Sequence, residues 1–120
     1  MNPHYTDKQL SLCKRFGVNC LSSADYQKVG VSSNILDRSW SWPVHGLRHQ
    51  PNSETTGWYI WSGEFSEASD FFQPLHVSHL PEYCEEALAY LGLPPGWRFL
   101  IAPGHEDVWF DETLLDVKED

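Results

Sequence analysis

Two short runs constrain this chain more than any other feature. Residues 57–61 read Gly-Trp-Tyr-Ile-Trp, and residues 96–101 read Gly-Trp-Arg-Phe-Leu-Ile. Each follows a stretch of turn-forming residues, Pro51-Asn52-Ser53 before the first and Pro94-Pro95 before the second. Runs this short, and this rich in aromatic and branched side chains, form strands rather than helices. In the first, Trp58 and Ile60 share one face and Tyr59 and Trp61 the other, so both faces are expected to be buried, as in an interior strand. In the second, Trp97, Phe99 and Ile101 share one face, Arg98 and Leu100 the other. The segments between the runs do not match, so the echo is not a repeat.

The remaining elements are read around these two strands. Val44–His49 is a strand, residues 50–57 are its turn, and residues 44–64 form a hairpin. A brief strand lies near Val29–Val31. Residues 64–80 begin as an acidic loop or short helix and end in a strand around Leu75–Ser78. The run Asp107–Asp111 makes a last strand after a Gly-His-Glu-Asp turn. A helix is expected at 6–16, with Thr6 and Gln9 in capping-box spacing, Leu10 and Cys13 on one side, and Gly17 as its stop. A second is expected at 81–91. Pro81 and three glutamates (Glu82, Glu85, Glu86) suit its start, and Cys84, Leu88 and Leu91 form its apolar stripe. The expected fold is α+β: a mostly antiparallel sheet in a single domain, 1–120, with both helices packed on it and a loose tail at 116–120.

Charge narrows the function. Eight Lys and Arg face 17 Asp and Glu, a net of −9 with neutral histidines. Such a chain lacks the cations that displace counterions from nucleic acid or hold an anionic membrane. No run is long and apolar enough to span a bilayer. Residues 1–10 show no basic head followed by an apolar stretch, so no signal peptide is expected. Cys13, Cys20 and Cys84 cannot all pair internally and form no C-x-x-C, which fits reduced thiols in a cytoplasmic protein.

Catalytic and metal signatures are weak. His45 and His49 would stand two residue-pairs apart on one strand face, and His76 and His79 on opposite faces, so neither pair suits a metal. There is no G-x-S-x-G and no G-x-x-x-x-G-K. Carboxylates are so abundant that any pair separation can be found. We therefore expect no catalytic residues, metal or cofactor. What stands out is acid beside aromatic: Glu64, Glu67 and Asp70 after the first strand, Glu106 and Asp107 near the last, and Trp40 and Trp42 beside Pro43. Indoles ringed by carboxylates suit anchors with a steering rim for a partner protein. The competing reading is a small hydrolase or ligand-binding domain with a carboxylate and histidine cleft.

The strings VSSNIL at 31–36, GWYIWSGE at 57–64 and LPPGWRFLIAPGHEDVWFDETLL at 93–115 resemble an immunity-protein family of bacterial polymorphic toxin systems, the group numbered thirty-three. The resemblance covers about residues 29–115 and includes Trp58, Gly63 and Glu64 as motif positions. It implies a small cytoplasmic, non-enzymatic protein that neutralises a cognate toxin by direct binding. The partner expected from the charge is a toxin domain with a basic surface.

Overall fold

The computed structural model describes residues 3–116. Six strands form one sheet: β1 Lys28–Ser32, β2 Val44–Arg48, β3 Thr55–Ser62, β4 Phe72–His76, β5 Trp97–Ala102 and β6 His105–Phe110. Their spatial order is β4-β1-β3-β2-β5-β6. Every neighbouring pair is antiparallel except β1 with β3, which is parallel. The fold is therefore α+β with a mostly antiparallel sheet, and the aromatic run 57–61 lies in β3, an interior strand as expected.

Helical segments cover one face of the sheet. They are α1 Pro3–Arg15, α2 Ser33–Leu36, α3 Pro81–Cys84 and a 3-10 segment Glu85–Tyr90 that continues α3. The core between the layers takes Val29 and Val31 from β1, Val44 from β2, Trp58 and Ile60 from β3, and Phe99 and Ile101 from β5. Against these pack Leu12, Cys13, Ile35, Leu80, Leu88 and Leu91. In β5 the alternation predicted for the sheet faces is the alternation found, with Phe99 and Ile101 buried.

Gly46 faces this core, and the ring of Phe99, its cross-strand partner, lies directly across it. Phe99 in turn stacks on Tyr90 at 4.7 Å and tilts against Trp58 at 5.6 Å. A side chain at position 46 would have to displace that ring.

Several boundaries moved. α1 begins three residues before the expected start, so Thr6 lies inside it and no capping box forms. Gln9 is instead buried and donates through Nε2 to the Leu88 carbonyl at 2.9 Å, joining α1 to the second helical segment. Leu10, expected on the apolar side, is exposed. The stop at Gly17 is as expected: its φ is +70°, Val18 N–H bonds Cys13 O at 3.0 Å and Gly17 N–H bonds Lys14 O at 3.1 Å. These are the two bonds of a Schellman cap.

The helix expected at 81–91 is broken at Cys84, whose φ of −155° and ψ of 78° lie outside the helical region. The Tyr83 carbonyl, which an unbroken helix would direct to residue 87, accepts the Trp40 indole N–H at 2.8 Å instead. Strand β4 starts at Phe72, earlier than expected, and gives way to a 3-10 turn at Val77–His79. Of the tail expected at 116–120, residues 117–120 lie outside the described residues. Among the described residues no helix is long and apolar enough to cross a membrane.

At the far end of β2, Arg48 is buried and sits beside Trp58. Its guanidinium donates to the carbonyls of Thr56 at 2.8 Å, Leu21 at 2.9 Å, Leu93 at 2.7 Å and Leu91 at 3.3 Å. It thereby clasps the 21–23 segment and the 91–93 turn to the sheet. Burial lowers its pKa to about 10, so it stays cationic at neutral pH.

Candidate functional site

The pairing register decides which connections meet. Val44 stands opposite Ser62 and Ile101, Ser32 opposite Phe72, Val31 opposite Ile60, and Ile101 opposite Glu106. The C-terminal ends of β1, β3 and β5 therefore share one end of the sheet with the N-terminal ends of β2, β4 and β6. Three connections lie at that end: residues 37–43, 63–71 and 103–104. Trp40 and Trp42 ride on the first, and Glu64, Glu67 and Asp70 on the second. Glu106 and Asp107 stand just beyond the third. All seven residues singled out in the sequence come to the same end of the sheet.

They are not equivalent there. Glu64, Glu67 and Asp70 are exposed, and their carboxylates take no hydrogen bond or ion pair among the described residues. The loop that carries them is held by Gly63 N–H to Pro43 O at 3.0 Å, Ala68 N–H to Ser66 Oγ at 3.1 Å and Gln73 Nε2 to Asp70 O at 2.9 Å. Trp40 packs against the core, with its indole on Tyr83 O. Trp42 meets Trp40 edge to face at 5.0 Å and is 38% exposed.

Glu106, expected in the turn before the last strand, belongs with Asp107 to β6, so the two point to opposite faces. Glu106 lies on the helix face. It accepts the Tyr90 hydroxyl and Arg15 Nη2, the latter at 2.7 Å. Burial, then the bond to Glu106, pushes the Tyr90 pKa up. Asp107 lies on the other face, 2.9 Å from His105 Nε2.

Among the described residues that other face carries no α-helix, and only the 3-10 turn Glu112–Asp116 reaches its edge, at His49. Its cross-strand rows follow from the register: Trp61, His45, Leu100 and Asp107 in one, Tyr59, Leu47, Arg98 and Trp109 in the next. His45 stacks on Trp61 at 4.9 Å. Burial, then the Arg98 charge, lowers its pKa below 6.5, so it is neutral at pH 7. Arg98 lies over the Trp109 ring at 5.5 Å and 3.1 Å from Asp111 Oδ2. The Thr113 hydroxyl, then Arg98, hold the Asp111 carboxyl below its ordinary value.

Tyr59 meets Phe72 at 5.0 Å and lies over Gly30, which leaves the ring room. Phe65, from the acidic loop, packs on Trp61 at 5.5 Å. Tyr59, Phe65 and Trp109 remain 36, 55 and 40% exposed. Burial on both faces of β3 thus holds for Trp58, Ile60 and Trp61, while Tyr59 reaches the surface.

Sequence reasoning missed this face as a candidate. Mixed polar and apolar residues alternating on the second side of β5 and β6 were the available signal of a half-exposed surface.

Two shallow hollows flank Tyr59. One of about 280 Å³ is lined by Lys28, Gly30, Thr55 and Phe72, the other of about 240 Å³ by His49, Asn52 and Leu114. Neither brings a histidine together with a carboxylate. Among the described residues no three metal-ligating side chains converge.

No curated protein and no solved structure matches the chain. The model of the Imm33-like domain matches residues 8–111, taking in most of α1, where the sequence resemblance began only at about 29. With a match over that much of its length, the chain belongs to the Imm33-like family.

Proposed function

We propose that this protein is a cytoplasmic immunity protein that neutralises a cognate toxin by binding it directly, without catalysis, through an acidic surface. Membership in the Imm33-like family over residues 8–111 is the observation that carries this reading. The gathering of Glu64, Glu67, Asp70, Asp107 and Trp42 at one end of the sheet supports it. So does the net charge of −9, which favours a toxin domain with a basic surface and disfavours nucleic acid. Glu106 contributes less, because Arg15 and Tyr90 already engage it. Binding would cover the toxin's active cleft or block its substrate.

The test is co-expression with the toxin domain encoded beside this chain, followed by capture kinetics on the purified pair. Protection of growth is expected. Reversing Glu64, Glu67 and Asp70 together to lysine should slow association about tenfold or more at low salt, with the difference shrinking as salt rises. Unchanged capture would remove that loop from the interface, and failure of the wild-type chain to protect would remove the function.

A further inference from the structure

The uncovered sheet face offers a more specific contact than the acidic loop alone. Its middle is apolar and half-exposed, formed by Leu47, Tyr59, Leu100 and Trp109. The loop 63–71 bounds one flank through Phe65 on Trp61, and the turn Glu112–Asp116 bounds the other end, where His49 Nδ1 lies 3.0 Å from Leu114 O. Four strands at about 4.8 Å spacing make a bare face on the order of 400 Å². A stable complex covers about 800 Å² on each partner, so an occupant must extend over the rim as well.

The rim chooses the occupant. Glu64, Glu67 and Asp70 border the face on one side, and Asp107 stands on it. Among the described residues two cations share this face: Arg98, which is matched by Asp111, and the exposed Lys28 at its β1 side beside Tyr59, so four carboxylates stand against one unmatched cation. A second copy of this chain would set these carboxylates against each other within molecules of net charge −9, and phosphates would be repelled in the same way. A cationic protein surface meets no such penalty.

The face also shows how it holds a guanidinium, since Arg98 lies between the Trp109 ring and the Asp111 carboxylate. In the loop, acid and aromatic are neighbours in sequence at Glu64-Phe65 and Asp70-Phe71. Among the described residues no Lys or Arg stands over Phe65 or Phe71.

We propose that the uncovered sheet face receives an arginine- or lysine-bearing protruding segment of the toxin domain, with Leu47, Tyr59, Leu100 and Trp109 as the dry centre and Glu64, Glu67, Asp70 and Asp107 as the charged rim. This rests on the reading that the chain neutralises a toxin by binding.

The experiment measures dissociation of the purified full-length chain from the toxin domain encoded beside it. Trp109→Ala and Tyr59→Ala should each raise the dissociation rate about tenfold or more at any salt, as buried aromatic anchors do. Leu10→Ala, on exposed α1, should match wild type. Urea midpoints would confirm that each variant is folded, and the exposure of Trp109 makes it the variant least prone to unfold. Wild-type binding with Trp109→Ala and Tyr59→Ala both within about twofold would overturn the sheet face and leave the toxin-binding reading standing. Absence of wild-type binding would overturn both. A wild-type dimer, without toxin, that Trp109→Ala converts to monomer would assign the face to a second copy and overturn the proposal.

Discussion

Replacing Arg48 by methionine keeps an apolar stem beside Trp58 and removes every donor of the guanidinium. Two opposing effects follow, and the structure sizes each. Leu91 O keeps the Trp58 indole N–H at 2.9 Å, so it stays satisfied. The carbonyls of Leu21, Leu93 and Thr56 lose this donor. A buried acceptor left without a partner costs about 1–3 kcal/mol, so the buried Thr56 and Leu93 carbonyls cost about 4 kcal/mol together and the part-buried Leu21 carbonyl, which water can reach, adds about 1 kcal/mol. Against this, the substitution relieves the desolvation of a cation. The fall of the Arg48 pKa from 12.5 to about 10 corresponds to about 3 kcal/mol against the charged form.

The net expectation is a loss of about 2 kcal/mol, or on the order of 10 °C in Tm for a chain of this size. Urea unfolding followed by tryptophan fluorescence measures it. The Arg48→Lys variant should fall between, because a single ammonium cannot reach carbonyls on three segments at once. Arg48 lies at the end of the sheet away from the acidic loop, so the folded fraction of the methionine variant should bind the toxin domain as wild type does. A methionine variant as stable as wild type, or more stable, would refute the clasp and show that desolvation of the guanidinium outweighs its hydrogen bonds.

Two further outcomes are expected. Gly46→Ala should destabilise the fold by about 1–3 kcal/mol by urea unfolding, because Phe99 is held by Tyr90 and Trp58 and cannot yield to a new methyl group; a change under about 0.5 kcal/mol would show that the ring moves. For His45, the folded pKa lies below 6.5, so the unfolded chain takes up the proton first as pH falls. Its contribution is constant above about pH 7, declines as pH drops through 6.5 towards the folded pKa, and is flat below. The urea midpoint of wild type should fall more than that of His45→Gln between about pH 7.5 and about pH 5.8, and equal falls would refute the assignment. Asp111, depressed from 3.8, titrates in a lower window and does not confuse the comparison.

The sequence alone determined what period-two alternation and turn chemistry can encode. These are local properties. The side-chain volumes of Gly57–Trp61 and Trp97–Ile101 force extended chain wherever they pack, Gly17 ends α1 through its own φ, and the excess of acid is a matter of counting. That was enough for the α+β class, for an interior aromatic strand and for a list of acids and indoles near its end.

Only the tertiary structure decided the rest, because pairing between distant segments depends on the whole chain's burial and not on any one segment. It placed β1 parallel to β3 and thereby brought the 37–43, 63–71 and 103–104 connections to one end of the sheet. It drew Gln9 inward to Leu88 O and broke the second helix at Cys84, where Trp40 takes the Tyr83 carbonyl. It also extended β6 back to His105, which turned Glu106 towards Arg15 and Tyr90 and left Asp107 on the face without α-helices. Adjacent acids with the same chemistry acquired different surroundings because α-helices cover one side of the sheet and not the other.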